Sequence, residues 1–254
     1  MSDSDAYTGN FHSDRDSHTR NSAEAVISLL FELIRPESVV DVGCGVGTWL
    51  ATFTRMGCRD VLGIDGAYVQ TELLQIPPER FRPHDLTMPI SLERQFDLAM
   101  SLEVAEHLES QYAQQFVRSL TRLAPVLLFS AAIPFQGGVH HVNEQWPDYW
   151  HALFKAHGFV CIDALRERLW NRTDVLYWYR QNILLYVSEA ALAERAALQR
   201  AYERQGGAPR ALVHPDAYLL KCAPLSMRAA VSTMLRTAGK ELRRALVPGS
   251  ALKT

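Results

Sequence analysis

The stretch Val39-Val40-Asp41-Val42-Gly43-Cys44-Gly45-Val46-Gly47 decides how the rest of the chain is read. Ser38 to Val42 is a short, bounded run rich in β-branched residues, the pattern of a strand buried on both faces. Three glycines at alternate positions then turn the chain, and Thr48 to Met56 continues as a helix. A glycine turn between strand and helix lets the backbone approach a ligand closely, with the helix N-terminus behind it. Dinucleotide-binding turns use G-x-G-x-x-G, where the third glycine lets helix and strand pack together. Here that third position is Thr48, which favours a ligand without a pyrophosphate. Asp65 closes the next strand, Asp60–Asp65, 18 residues beyond Gly47. In a doubly wound sheet a carboxylate at that strand end accepts bonds from ribose hydroxyls.

The same alternation extends in both directions. A helix is expected from Ser22, with Ala25, Leu29, Leu30 and Leu33 on one face and Pro36 as its stop. Further strands are expected at 82–86, 96–101, 125–130, 159–165 and 182–188, with 125–130 the most apolar and so expected at the centre of the sheet. Glu103 to Leu123 reads as one helix, with Val104, Leu108, Tyr112, Phe116 and Leu120 at helical spacing. Pro147 and Gly158 bracket another. Strands alternating with helices of this length make a parallel sheet covered on both faces. Residues 1–22 lack apolar periodicity and are read as a mobile segment or lid. Residues 23–188 form the α/β domain, and the Ala-, Arg- and Glu-rich residues 189–254 form a helical extension.

Bulk composition narrows the function classes. The chain has 254 residues, 48% of them apolar, enough for one large domain or one domain with an appendage. With 26 basic and 28 acidic residues, it lacks the positive excess of a general nucleic-acid binder. Its longest apolar stretch, at 124–135, is broken by Ser130 and Pro134 and falls short of the ~20 residues of a membrane span. The polar start MSDSDAYTGNFHSDRDSHTR has no secretory apolar core. Cys44, Cys58, Cys161 and Cys222 form no C-x-x-C pair, so a reducing, cytoplasmic setting is expected.

VVDVGCGVG, Gly63-Ile64-Asp65-Gly66, His84-Asp85-Leu86 and Phe96–Leu108 (FDLAMSLEVAEHL) together resemble the ordered motifs of class I S-adenosylmethionine-dependent methyltransferases over residues 23–188. The resemblance implies a doubly wound, seven-stranded Rossmann-like sheet with an antiparallel last strand and helices on both faces. It implies S-adenosylmethionine as cofactor, with Asp41, Gly43, Gly45 and Gly47 around the methionine portion and Asp65 and Gly66 at the ribose. Asp85 and Leu86 would meet the adenine edge, and Ser101 would lie close by. The segments HVNEQWP (His141–Pro147) and WYRQN (Trp178–Asn182) are similar to bacterial methyltransferases linked with glycan or cell-surface biosynthesis. The implied acceptor is a small molecule or glycan precursor and no nucleic acid. Ser101-Leu102-Glu103-Val104 stands where base aminomethylases carry an Asn/Asp-Pro-Pro-aromatic segment.

Methyl transfer needs an aligned acceptor and, for a hydroxyl, a base. His140 and His141 are candidate bases because imidazole titrates nearest neutrality, and the resemblance carried by HVNEQWP makes His141 the preferred one. His140 is the weaker candidate, and Trp146, Tyr149 and Trp150 offer a dry aromatic wall. Glu103 and His107, spaced i, i+4 on the expected helix, would share a face toward cofactor or acceptor, with Glu106 solvated. His140, His141, Glu144 and His107 match no strong metal-ligand spacing, and no metal is expected. Tyr7, Phe11, His12, His18 and Arg20 would belong to the lid. Ser226–Val247 sets an apolar side (Met227, Val231, Met234, Ala238, Leu242, Ala245) against a basic one. That helix is expected to pack on the core or on a second copy, with an anionic membrane surface as the alternative. N- or C-methylation, a nicotinamide oxidoreductase and a silent cofactor-binding module are the competing readings.

Overall fold

The computed structural model describes residues 9–222, in two compact units that divide after His214. The first unit carries a seven-stranded sheet: β1 (Ser38–Val42), β2 (Asp60–Asp65), β3 (Phe81–Pro83), β4 (Leu98–Leu102), β5 (Val126–Ser130), β6 (Phe159–Ile162) and β7 (Leu184–Ser188). Their order across the sheet is β3-β2-β1-β4-β5-β7-β6. β3, β2, β1, β4 and β5 pair in parallel, and β7 runs antiparallel between β5 and β6. The helices are α1 (Gly9–Leu30), α2 (Thr48–Arg55), α3 (Ala113–Leu123), α4 (Pro147–Lys155), α5 (Arg166–Leu169), α6 (Tyr177–Asn182), α7 (Glu189–Glu194) and α8 (Ala196–Gln205). In the second unit, α9 (Pro215–Cys222) is described. The amphipathic segment Ser226–Val247 and Tyr7 lie outside the described residues.

Strand alternation sorts the core into two layers, because successive side chains leave a strand on opposite faces. Val39, Val126 and Leu128 face a layer containing Val26, Leu30, Leu50 and Phe53 of α1 and α2. Val40, Val42, Leu127 and Phe129 face the other, with Phe116, Leu120, Trp150 and Phe154 of α3 and α4. Both faces are therefore buried, which is why these strands read as continuous apolar runs.

Several expectations need correction. α1 begins at Gly9, well before Ser22. Ser22 looks like an N-cap, yet its hydroxyl donates back to the His18 carbonyl at 2.8 Å and accepts the Leu176 N–H at 3.0 Å. That i−4 bond is an interior use of a residue type favoured at caps. β5 is an interior strand, but the middle of the sheet is β4, which is equally buried. The long helix expected from Glu103 is only its second half. Glu103 sits at φ +57°, and 3-10 turns at Ala105–His107 and Ser110–Tyr112 precede α3. Glu103 and His107 therefore share no α-helical face.

Candidate active site

The chain turns from β1–β2–β3 on one side of β1 to β4 on the other, so a crevice opens at the carboxyl ends of β1 and β4. The glycine corner lines it. Gly43, Gly45 and Gly47 have φ of +85°, +53° and +82°, and a Cβ on Gly43 would stand 2.3 Å from Val104 Cγ2. The corner and the segment after β4 thus meet with no room for a side chain. A Cβ on Gly45 would meet nothing within 4 Å, so there the bare backbone borders open space.

Asp65, at the end of β2, is buried, with 4% of its surface exposed. Its Oδ2 accepts the Gly45 N–H at 2.7 Å, and its Oδ1 accepts the Gly66 N–H at 2.6 Å and the Tyr68 hydroxyl at 2.5 Å. The Gly45 donor ties the carboxylate to the glycine corner, the Gly66 donor fixes it to its own turn, and a third position takes an O–H. Asp41, in β1, is also buried, and burial, reinforced by the charge of Asp65, pushes its carboxyl well above the ordinary range. Cys44 is a buried thiol, pushed up chiefly by burial, a loop filler and no nucleophile.

Beyond β4 a second group of side chains gathers. The Glu103 N–H donates to the carbonyl and Oγ of Ser130, at 3.0 and 3.1 Å. Its carboxylate accepts from Gln136 Nε2 at 2.8 Å and from Asn182 Nδ2 at 3.0 Å. Burial raises its pKa against the pull of those donors. Glu106, expected to be solvated, is fully buried, and neither carboxylate oxygen has a hydrogen-bond partner. Burial first, and Glu103 second, push it up to about 9, an effect the nearby N–H groups of Glu106 and Ala132 only partly offset. The Glu106 carbonyl meanwhile accepts the N–H groups of Val142 and Asn143, at 2.9 and 3.0 Å, and so ties down the loop after β5.

That loop is organised by Glu144. Its Oε2 accepts the Phe135 N–H at 2.8 Å, and its Oε1 accepts the Gly137 N–H at 2.6 Å and His141 Nδ1 at 2.9 Å. The His141 ring stands edge to face with that of His107, centroids 4.8 Å apart. Phe135, Gly137 and His140 all take positive φ, which bends the loop around the glutamate.

The expected residues separate accordingly. Asp41, Gly43, Gly45, Gly47, Asp65 and Gly66 assemble on one side of the crevice. Glu103, His107 and His141 gather around Glu106. Ser101 is buried in β4, and its hydroxyl has no hydrogen-bond partner. Asp85 is exposed and caps its own turn through the N–H and hydroxyl of Thr87, which lower its pKa. Leu86 packs against the α3/α4 core layer. His140 is exposed. Trp150 is no site wall, being buried beside Phe129 at a centroid distance of 5.5 Å. Sequence reasoning missed Tyr68, Gln136 and the roles of Glu106 and Glu144. Only the proximity of Glu106 to His107, and of Glu144 to His141, hinted at the last two.

A family model described as methyltransferase domain matches residues 15–172. No curated protein matches by sequence. Among solved structures, magnesium protoporphyrin IX methyltransferase from Synechocystis PCC 6803, crystallised with bound SAH, is similar at 20% identity. It covers 69% of this chain and 86% of its own, with a TM-score of 0.51. DesVI of Streptomyces venezuelae is similar at 15% identity, covering 74% of this chain and 99% of its own, with a TM-score of 0.54. A glycine corner at the sheet's switch point, a strand-end aspartate bound to it, and a family match over more than half of the sequence converge: the chain belongs to the methyltransferase-domain family.

Proposed function

We propose that this chain transfers the methyl group of S-adenosylmethionine to a hydroxyl of a small molecule or sugar precursor. One observation carries the reading: Asp65, pinned by the Gly45 and Gly66 N–H groups, already accepts an O–H from Tyr68 at 2.5 Å. A ribose hydroxyl needs that same acceptor, and the open space over Gly45 admits the amino-acid portion. Thr48 in place of a third glycine disfavours a pyrophosphate there. The bound SAH of the similar Synechocystis enzyme, whose named substrate is a small molecule, supports the same reading.

When bound, the sulfonium supplies both the methyl group and its own leaving group. The protein's remaining tasks are alignment and activation of the acceptor. We assign activation to His141, whose ring Glu144 orients from the loop after β5. Replacing His141 by Ala should lower turnover about 10²–10⁴-fold while leaving adenosylhomocysteine binding unchanged. A mass-shift screen of hydroxylated metabolites and sugars finds the acceptor, and kinetics on that acceptor tests the residue. Near-normal turnover would reduce His141 to a loop residue.

A further inference from the structure

Among the described residues, one ligand atom from each of Glu106, His107 and His141 lies within 4.8 Å of the other two. Glu106 is fully buried, and neither of its oxygens has a hydrogen-bond partner. A buried carboxylate is ordinarily paired or bound to a metal. The neighbouring carboxylates offer Glu106 no donor, for both are acceptors themselves: Glu103 takes bonds from Gln136 and Asn182, and Glu144 from the N–H groups of Phe135 and Gly137. His107 is exposed and gives the cluster a face to solvent. His141 Nδ1 meets Glu144 Oε1 at 2.9 Å, the carboxylate–imidazole pairing that orients metal-bound histidines. Its Nε2 edge packs against Gly138, where a Cβ would stand only 2.1 Å away, so only glycine there leaves room for the imidazole ring.

We propose that Glu106, His107 and His141 form a binding site for a divalent first-row transition-metal ion such as Mn²⁺ or Zn²⁺. Two imidazoles and one carboxylate are a donor set these ions accept, and three protein ligands leave positions for oxygen donors. The proposal rests on the methyltransferase reading and deepens it. His141 would then act as a ligand and not as the base: the cation would lower the pKa of a bound acceptor hydroxyl, whose proton would leave to solvent water at the exposed His107 face while the oxygen takes the methyl group and adenosylhomocysteine departs.

The test uses the full chain, stripped with chelator and titrated calorimetrically with MnCl₂ and, separately, ZnCl₂, with electron paramagnetic resonance of the Mn²⁺ sample. Wild type should bind one equivalent of at least one of the two cations. Glu106→Gln and His107→Ala should each weaken that binding at least tenfold, and Glu144→Gln should weaken it less. Glu106→Gln keeps the size of the buried side chain and leaves an uncharged group there, so the melting temperature of the stripped protein should stay close to that of wild type. If that variant does not fold, the exposed His107→Ala decides. No stoichiometric binding by wild type, or unchanged binding in His107→Ala, overturns the site. Adenosylhomocysteine titrated into the same samples separates the two claims: nucleoside bound without cation sinks the metal site alone, whereas cation bound without nucleoside sinks the methyl-donor reading.

Discussion

Asp65 holds the fold at the glycine corner and, in the proposed reading, also receives the ligand. Its Oδ2 closes the glycine corner onto β2, and its Oδ1 carries the O–H position that Tyr68 fills. Ligand hydroxyls at that oxygen would therefore displace the hydroxyl of a tyrosine that is otherwise 81% exposed. Removing the competitor should help binding. Tyr68→Phe is expected to tighten adenosylhomocysteine by the value of one charge-assisted hydrogen bond less its replacement by water, about 0.5–1.5 kcal/mol. Calorimetry on the purified variant checks this, and weaker binding would mean that Tyr68 contacts the ligand instead of competing with it. Tyr68 was not legible as a site residue, because its contact with Asp65 closes across a turn whose shape no side-chain periodicity encodes.

At the scale of elements, the glycine corner works because β1, α2 and the segment after β4 crowd it. Gly43 combines φ +85° with 2.3 Å to Val104 Cγ2, so Gly43→Ala meets both backbone strain and a clash. Each effect costs about 1–3 kcal/mol. Urea unfolding should show a loss in that range or above it, and adding Val104→Ala should recover the steric part only. A loss under about 0.5 kcal/mol would mean the corner is not tightly packed. The two halves of the site were unequally readable for the same local reason. Gly43, Gly45, Gly47 and Asp65 stand at a change of period from strand to helix, and that change is written in residue types. Leu102, Glu103, Ala105 and Glu106 are good helix formers, and helical periodicity turns Glu106 toward solvent. Tertiary packing overrides that propensity: Glu103 takes positive φ to bond Ser130, and the following 3-10 turn rotates Glu106 inward.

Across the first unit as a whole, the alternation of core layers follows from the apolar pattern, whereas the ties between distant loops do not. The clearest tie is Arg166, 1% exposed, which bonds both oxygens of Asp163 and donates to the carbonyls of Gln181 and Arg210, each at 3.0 Å. It joins α5, the end of α6 and the segment after α8, and so supports Asn182, which holds Glu103 from the same end of α6. A sequence pattern records only that an arginine follows an aspartate by three residues. Arg166→Met leaves the Asp163 carboxylate unpaired and should cost about 3–5 kcal/mol in thermal or urea unfolding. Adding Asp163→Leu should recover part of this, because the two carbonyls still lose their donor. A loss below 1 kcal/mol would remove Arg166 from the framework of the site.

The methyl-donor site itself is tested most directly by calorimetric titration of the whole chain with adenosylhomocysteine and, separately, with NAD. The wild-type protein should bind one equivalent of adenosylhomocysteine and no NAD, and Asp65→Ala should weaken that binding by about 1–3 kcal/mol. Binding of NAD in preference, no binding of the nucleoside, or an affinity that Asp65→Ala leaves untouched would contradict the assignment.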